Sequence, residues 1–523
     1  MRPKVLSGIV WISFASMFVS SAGAAQYFPQ DWVSYTDLRH ILSIAADLRF
    51  VYFGTRHGIC VYDKLKEKWT DPVTAGDGLP IEKVQVVGID TYTNRLLISS
   101  GSKIYSYDRA GEDWEAYEVA GSGVSFSSIG VDQNYIWGDG KDLKIKFDKV
   151  TGTWQPVDAF KENIRWFGKR GEVDLRKSGY SFLAPFYVLG RNLERYDFVT
   201  GVEDEGILWV GTAGYGVFKY DIRTLENTHL LMGLMGSRVD AMWLDGETFW
   251  FGNAGEDAEG ITRWLQGSDS WVYYDDKRDV GLFSSRVGAI AADTNHVWMG
   301  TEGGLSRFDK KKEVFKTFTI FDGLPANEVT AVCVNGDSLW VGTSFGLCVM
   351  DMTSSDFTRM AQVKTWINDL AVSNGSLWVA SVDGVFVLDI RSDTWSKFED
   401  PGGLLDVSAT RLLFDEGRIW FGTTRGVLSF DKQTGTWERF TYPVHLPEET
   451  VRALASDDKN IWVGTRSGVG NFRKDRGEWI KYDQRDGLLG QEVNAIISKD
   501  DYVFFGTDRG LTRFFWNNPL VVR

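Results

Sequence analysis

The sequence predicts an all-β fold, and three observations carry that expectation. One apolar motif recurs along the chain, as YFGTRHG, LWVGTAGYG, VWMGTEGG, LWVGTSFG, LWVASVDG, IWFGTTRG, IWVGTRSG and VFFGTDRG; its glycine position falls at Gly54, Gly211, Gly300, Gly342, Ala380, Gly422, Gly464 and Gly506. Each unit around it holds four short strand patterns, clearest in ATRLLFD, RIWFGTT, GVLSFD and TWERFTY, and no amphipathic helix stripe between Tyr27 and Arg523 is long enough to cover a sheet. The composition, with 56 Gly, 22 Trp, 33 Phe and 19 Tyr, suits short strands and tight turns. Small sheets repeated about every 40–45 residues without covering helices bury their apolar faces against each other, which predicts tandem β-propellers built from about 11–12 four-stranded blades.

Taken in chain order, the first element is a leader. Arg2 and Lys4 precede an apolar run from Val5 to about Val19, and Ala22, Gly23, Ala24 and Ala25 form a small-residue zone. That order reads as a signal peptide over residues 1–25, cleaved near residues 24–25, with a periplasmic or extracellular product. No other segment has the apolar length of a membrane span, so none is expected in the mature chain. The formal charge of −14 argues against nucleic acid as a partner.

DWVSYT (residues 31–36) has the pattern of a blade's outer strand, and the last unit ends at PLVVR without one. The N-terminal strand is therefore expected to close the last blade, which removes two exposed sheet edges. Weaker repeats follow at Ser99 and Gly138, then an irregular insertion over residues 161–200, long enough to hide a twelfth unit. Because propellers rarely exceed eight blades, two rings are expected. We place a first propeller of about five blades in residues 26–225 and a second of about seven in 226–523.

Units such as FDGLPANEVTAV (residues 321–332) followed by LWVGTSFGL, and RDGLLGQEVNAI (residues 485–496), resemble the two-component regulator propeller repeat. The resemblance spans nearly all of the mature chain and implies an exported sensor-type β-propeller; the kinase part of that family is not matched in this sequence.

Three cysteines, Cys60, Cys333 and Cys348, do not make a disulfide framework. Glycines in IWVGTRSGVGNF occupy repeat positions rather than a phosphate loop, since no helix pattern follows them. The turn after each WxGT strand varies in a way that suits ligand recognition from a rigid scaffold. Its residues Arg56, His57, Tyr215, Glu302, Phe345, Asp383, Arg425, Arg466, Asp508 and Arg509 are the candidate ligand-binding set. The aromatics Tyr180, Phe182, Phe186 and Tyr187 in the insertion offer a second exposed surface. The five histidines have no metal-ligand spacing, and His57 beside Arg56 is the single catalytic suspect. No cofactor motif is present; calcium in an Asp-containing turn stays open, although no DxDxDG loop occurs.

The leading expectation is an exported non-catalytic recognition or scaffold protein, binding a carbohydrate or a cell-envelope protein, as a sensory accessory or in complex with other exported proteins. Two alternatives remain: a polysaccharide lyase or hydrolase of propeller fold, and a structural subunit of a surface or secretion assembly.

Overall fold

The computed structural model describes residues 29–519 apart from 82, 102, 109–112, 120–124, 142, 191–192, 257, 404 and 406–408. The expected leader, residues 1–25, lies outside the described residues. Among them the chain is all-β: eleven antiparallel sheets, nine of four strands and two of five, with only short 3-10 turns besides. No helix among the described residues is long and apolar enough to cross a membrane.

We number the sheets in chain order from residue 41: sheet 1 (residues 41–69), 2 (86–118), 3 (126–168), 4 (187–230), 5 (241–274), 6 (287–318), 7 (329–360), 8 (367–398), 9 (409–440), 10 (453–482) and 11 (493–514, joined by the N-terminal strand 32–35). Sheet 7 shows the common order, with Val329–Asn335, Ser338–Thr343, Gly346–Asp351 and Phe357–Met360 side by side. Its third strand ends in Asp351, whose Oδ1 accepts the N–H groups of Thr353 and Ser354 at 2.8 and 3.0 Å. Asp63, Asp148, Asp221, Asp309, Asp389 and Asp431 make the same turn. These are the turn-forming aspartates the repeat called for, each bonding its own backbone.

The recurring glycine has one physical cause. A Cβ on Gly300 would lie 2.8 Å from Val329 Cγ1, on Gly342 2.6 Å from Ile367 Cγ2, on Gly422 2.7 Å from Val451 Cγ1, and on Gly464 2.8 Å from Val493 Cγ1. In each case the apolar residue stands at the head of the next sheet's first strand. Gly252 meets Val287 in the same way, and Gly506 meets Val239 before sheet 5. Ala380 replaces glycine, and there the facing residue shrinks to Ala409, buried in the same cluster. The first strands of sheets 5 to 11 thus neighbour one another in sequence, and sheet 11 returns to sheet 5.

Both chain ends build sheet 11. Trp32–Tyr35 pairs antiparallel with Gly510–Phe514, Trp32 opposite Phe514. The next residues, 37–40, lead directly into sheet 1.

Sheets 1, 2, 3 and 4 form the other group. Gly54 packs on Val84 at the head of sheet 2, and Gly211 of sheet 4 packs on Ile41 of sheet 1, where an added Cβ would come within 2.5 Å of Ile41 Cγ2. Ion pairs repeat this adjacency at the other end of the sheets: Lys64–Asp204 at 2.7 Å joins sheets 1 and 4, and Lys149–Asp90 at 2.7 Å joins sheets 3 and 2. The insertion supplies Arg165–Gly168 as a fifth strand beside Phe126–Val131. Val173 then donates its N–H to Gly201 O of sheet 4. The fifth strand of sheet 4, Asn227–Leu230, pairs with Val217–Asp221, so that sheet extends past residue 225.

The insertion aromatics pack rather than stand clear. Phe182 lies 5.7 Å from the Tyr220 ring, Tyr180 donates to Glu203 at 2.6 Å, Tyr180, Phe182 and Phe186 border the cluster of Leu183, Leu208, Val210 and Phe218, and Arg195 lies over the Tyr187 ring. They cover the side of sheet 4, which corrects their expected exposure. One continuous apolar core, including Tyr35, Leu38, Trp69, Trp209, Trp264, Trp271 and Phe504, joins the two groups. All three cysteines are free thiols.

Candidate functional site

The threonine of WxGT builds the turn that displays the candidate residues. Thr343 Oγ1 donates to Gly346 O at 2.8 Å and accepts the N–H of Phe345 at 3.2 Å. Thr55, Thr301, Thr423, Thr465 and Thr507 make the same pair of bonds, and Ser381 keeps it where threonine is absent. The hydroxyl satisfies two turn groups that would otherwise be left unpaired in a tight reversal. The side chains between Thr and Gly therefore leave a rigid base.

The turns and the loops between sheets share one end of each sheet, because the head of the first strand pairs with the end of the second, as Val329 does with Thr343. At this WxGT end the ten candidates fall into separate places. Arg56 and His57 lie on sheet 1. Tyr215, on sheet 4, stacks on Tyr196 with centroids 4.5 Å apart and contacts His229, so it is engaged in packing. Glu302 pairs with Arg286 at 2.9 Å. Phe345 is exposed, as are Asp383, Arg425 and Arg466, on the successive sheets 7, 8, 9 and 10. Asp508 and Arg509 follow on sheet 11; Asp508 Oδ1 accepts the Glu492 N–H at 3.1 Å.

The position just after each packed apolar residue was not singled out from the sequence, and it lines the mouth of the seven-sheet cycle. It is Asp240, Gly288, Thr330, Asn368, Thr410, Arg452 and Asn494 in turn. These side chains step from sheet to sheet: Thr330 Oγ1 donates to Ile367 O at 2.6 Å, Asn368 Nδ2 to Ala409 O at 2.7 Å, and Thr410 Oγ1 to Val451 O at 2.8 Å. Arg452 Nε donates to Asn494 Oδ1 at 2.7 Å. Arg238 binds both oxygens of Asp240 at 2.9 Å and lies 3.5 Å from Glu492.

Arg452 stands apart. Burial lowers its pKa, Glu492 offsets part of that, and Arg466 and Arg238 push in the same direction as burial. Among the described residues no carboxylate lies within 4.0 Å of it. A half-buried guanidinium in this state favours an added anion, which would take its unused donors in a charge-assisted bond. Nothing periodic in the sequence marks it, since the seven equivalent positions hold five different residue types.

A second polar group lies where the two sheet groups meet. Asp37 and Arg39 form a buried pair, with Arg39 Nε and Nη2 each 2.9 Å from the carboxylate, and Arg39 Nη2 also reaches Glu259 at 2.5 Å. Burial alone would raise the Asp37 carboxyl; Arg39 and His40 hold it well below the usual carboxylate range. His57 Nδ1 lies 3.0 Å from Asp37 O, so the imidazole donates to the linker backbone. Arg56, His57, Ser237 and Glu259 line a cleft of about 140 Å³ here. Both of its acidic side chains are committed to Arg39. Among the described residues no group of three or more His, Cys, Asp or Glu side chains is placed to hold a metal ion.

No family model matches the chain, and no curated protein matches it in sequence. Solved structures match in fold. PorZ, described as an essential bacterial surface component of the type-IX secretion system of Porphyromonas gingivalis, superposes with a TM-score of 0.57 at 13% identity over 92% of this chain and 87% of that one. The extracellular domain of the putative hybrid two-component system BT3049 of Bacteroides thetaiotaomicron gives 0.47 at 19% identity, over 94% and 70%. A virginiamycin B lyase from Staphylococcus aureus gives 0.44 at 11% identity and covers only 53% of this chain. The fold is thus similar to that of PorZ over most of both chains.

Proposed function

We propose that this chain is an exported, non-catalytic recognition or scaffold protein of the cell envelope, made of two β-propellers. The larger has seven blades, sheets 5 to 11, and closes with Trp32–Tyr35. The smaller has sheets 1 to 4, with the segment 165–175 filling the gap between sheets 3 and 4. The boundary then falls after Leu230, at the end of sheet 4, and residues 37–40 form a second crossing. The Gly506 to Val239 contact supports closure of the larger ring, and the Gly211 to Ile41 contact supports closure of the smaller.

The recognition reading rests on one observation, Arg452 at the ring mouth without a carboxylate partner, flanked by Arg425 and Arg466 on sheets 9 and 10. Such a mouth suits an envelope ligand that carries anionic groups, whether glycan or protein. The cleft at His57 is better explained as a tie between propellers than as a catalytic centre, because Asp37 and Glu259 both serve Arg39. The resemblance to propellers of sensor systems is compatible with a sensory accessory role. A second reading, a structural subunit of a surface or secretion assembly, is favoured by the superposition on PorZ along almost all of both chains.

Labelled, exported protein titrated onto envelope preparations of the cells that produce it tests the first reading. Saturable binding that weakens with salt is expected. Absence of saturable binding contradicts it, and comigration with a large envelope complex independent of salt favours the second.

A further inference from the structure

The WxGT end of the seven-sheet cycle is apolar over much of its circumference. Phe321 is 93% exposed, Phe345 71% and Phe283 61%, and Trp366, Val382 and Tyr442 extend the row. These residues come from consecutive places: the loops that precede sheets 6, 7 and 8, the turns of sheets 7 and 8, and the loop after sheet 9. Among the described residues from 241 onward, every exposed large apolar side chain except Val314 lies at this end. The opposite end turns through polar sequences such as Asp245-Gly246-Glu247, Asn335-Gly336-Asp337 and Asp415-Glu416-Gly417. Solubility alone would not distribute apolar side chains so unevenly between two ends built from the same repeat. Exposed apolar side chains gathered on successive sheets at one end mark an interaction surface.

The neighbouring groups indicate what covers it. Sheets 9 and 10 continue the cycle beyond sheet 8 and carry Arg425, Arg452 and Arg466, whose guanidinium groups have no carboxylate within 4.0 Å among the described residues, although the Arg466 backbone N–H donates to Glu448 Oε2 at 3.4 Å. Three guanidinium groups thus adjoin the apolar row, with Glu448 and Glu449 in the loop ahead of sheet 10, and a partner that covers the row and meets those guanidiniums should combine apolar side chains with carboxylates. A saccharide fits the apolar part poorly. The polar side chains beside Phe321 are taken up by their own loop: Asp322 accepts from Thr319, and Asn327 Oδ1 accepts from the Ile320 N–H. Phe283 and Val382 bring no polar atoms of their own. A sugar ring stacked there would cover only its C–H face and find no free side-chain partner beside Phe321 to orient its hydroxyls, whereas a buried apolar side chain of a protein gains about 1.5–3 kcal/mol.

We propose that this end docks a protein segment in which carboxylates adjoin apolar side chains, the apolar ones covering Phe321, Phe345 and Trp366 and the carboxylates meeting Arg425, Arg452 and Arg466. This rests on the recognition reading above and narrows its partner to a protein.

The test places the photo-cross-linker p-benzoylphenylalanine at Phe321, at Phe345 and, as the opposite-end control, at Val314, in the full chain exported by its own cells. The expected result is one protease-sensitive adduct at Phe321 and Phe345 and none at Val314. A synthetic peptide spanning the cross-linked segment of that partner should then bind the purified chain and lose at least tenfold in affinity with Phe321→Ser/Phe345→Ser and with Arg425→Glu/Arg466→Glu. Adducts with polysaccharide or lipid only, equal adducts at Val314, no adduct at the two phenylalanines, or a peptide indifferent to both variant pairs each overturn the proposal. If the chain still binds envelope preparations saturably in those cases, the recognition reading stands and only the protein partner is lost.

Discussion

Gly506 lies directly against Val239. A methyl group on its α-carbon would sit 2.7 Å from Val239 Cγ1 and 3.1 Å from Val239 O, and the Val239 N–H donates to Thr507 O at 2.8 Å. Two residues 267 positions apart thus make the same contact that Gly300 and Val329 make between successive sheets.

Gly506→Ala should destabilise the larger ring by about 1–3 kcal/mol, because the facing atoms include backbone that a closed cycle cannot shift freely. Urea unfolding checks this. A change within 0.5 kcal/mol would mean that the closing contact is looser than its distances imply.

The exception in the repeat allows a sharper check. Ala380 faces Ala409, where other sheets pair glycine with valine or isoleucine. Ala409→Val alone should cost about 1–3 kcal/mol through overpacking, and Ala380→Gly in the same chain should recover most of that loss. A double-mutant cycle measures the coupling; strictly additive effects would separate the two positions.

Much of this was legible in the sequence, and the reason is geometric. Gly, Trp and Thr of WxGT recur because each does one packing or turn task in every sheet that carries the motif, so period and role coincide. The pairing of DWVSYT with the last sheet was legible because that sheet lacked an outer strand. Gly470 had no evident role; it lies under the Trp479 ring, where a Cβ would come within 3.2 Å. The ring mouth was not legible, because Arg452 and Asn494 occupy a position whose residue type changes in nearly every sheet. Nor was the tie between the two groups, since Arg39 and Glu259 are 220 residues apart and belong to no repeat. The apolar row was reached only through Phe345; its other members sit in loops of irregular length.

Trp32 stacks on Phe514 with centroids 3.8 Å apart and is buried among Tyr482 and Phe505. Trp32→Ala should cost about 3–5 kcal/mol, and a chain beginning at residue 37 should lose the cooperative transition of the larger ring. Circular dichroism melts of both variants check this; an unchanged melt of the shortened chain would show that sheet 11 does not need the strand.

Asp37 sets a pH dependence. Its carboxyl is held down in the folded chain, so its contribution is complete above the unfolded value near 4 and is lost as pH falls below that value. The urea midpoint should therefore drop between about pH 4 and pH 2, and Asp37→Asn should flatten part of that drop. At pH 7 the substitution should cost about 3–5 kcal/mol, because Arg39 is left buried and undercompensated. A midpoint at pH 7 equal to that of the unaltered chain would exclude the pair as the tie between the sheet groups.

The measurement that bears most directly on recognition at the WxGT end is a comparison of two charge reversals in binding to envelope preparations. Arg425→Glu/Arg466→Glu alters the mouth, and Lys311→Glu/Lys312→Glu alters an exposed turn at the opposite end of sheet 6. At low salt the first pair should weaken binding at least tenfold, while the second leaves it within twofold. Equal effects of the two pairs, or a loss confined to the second, would contradict recognition at this end of the ring.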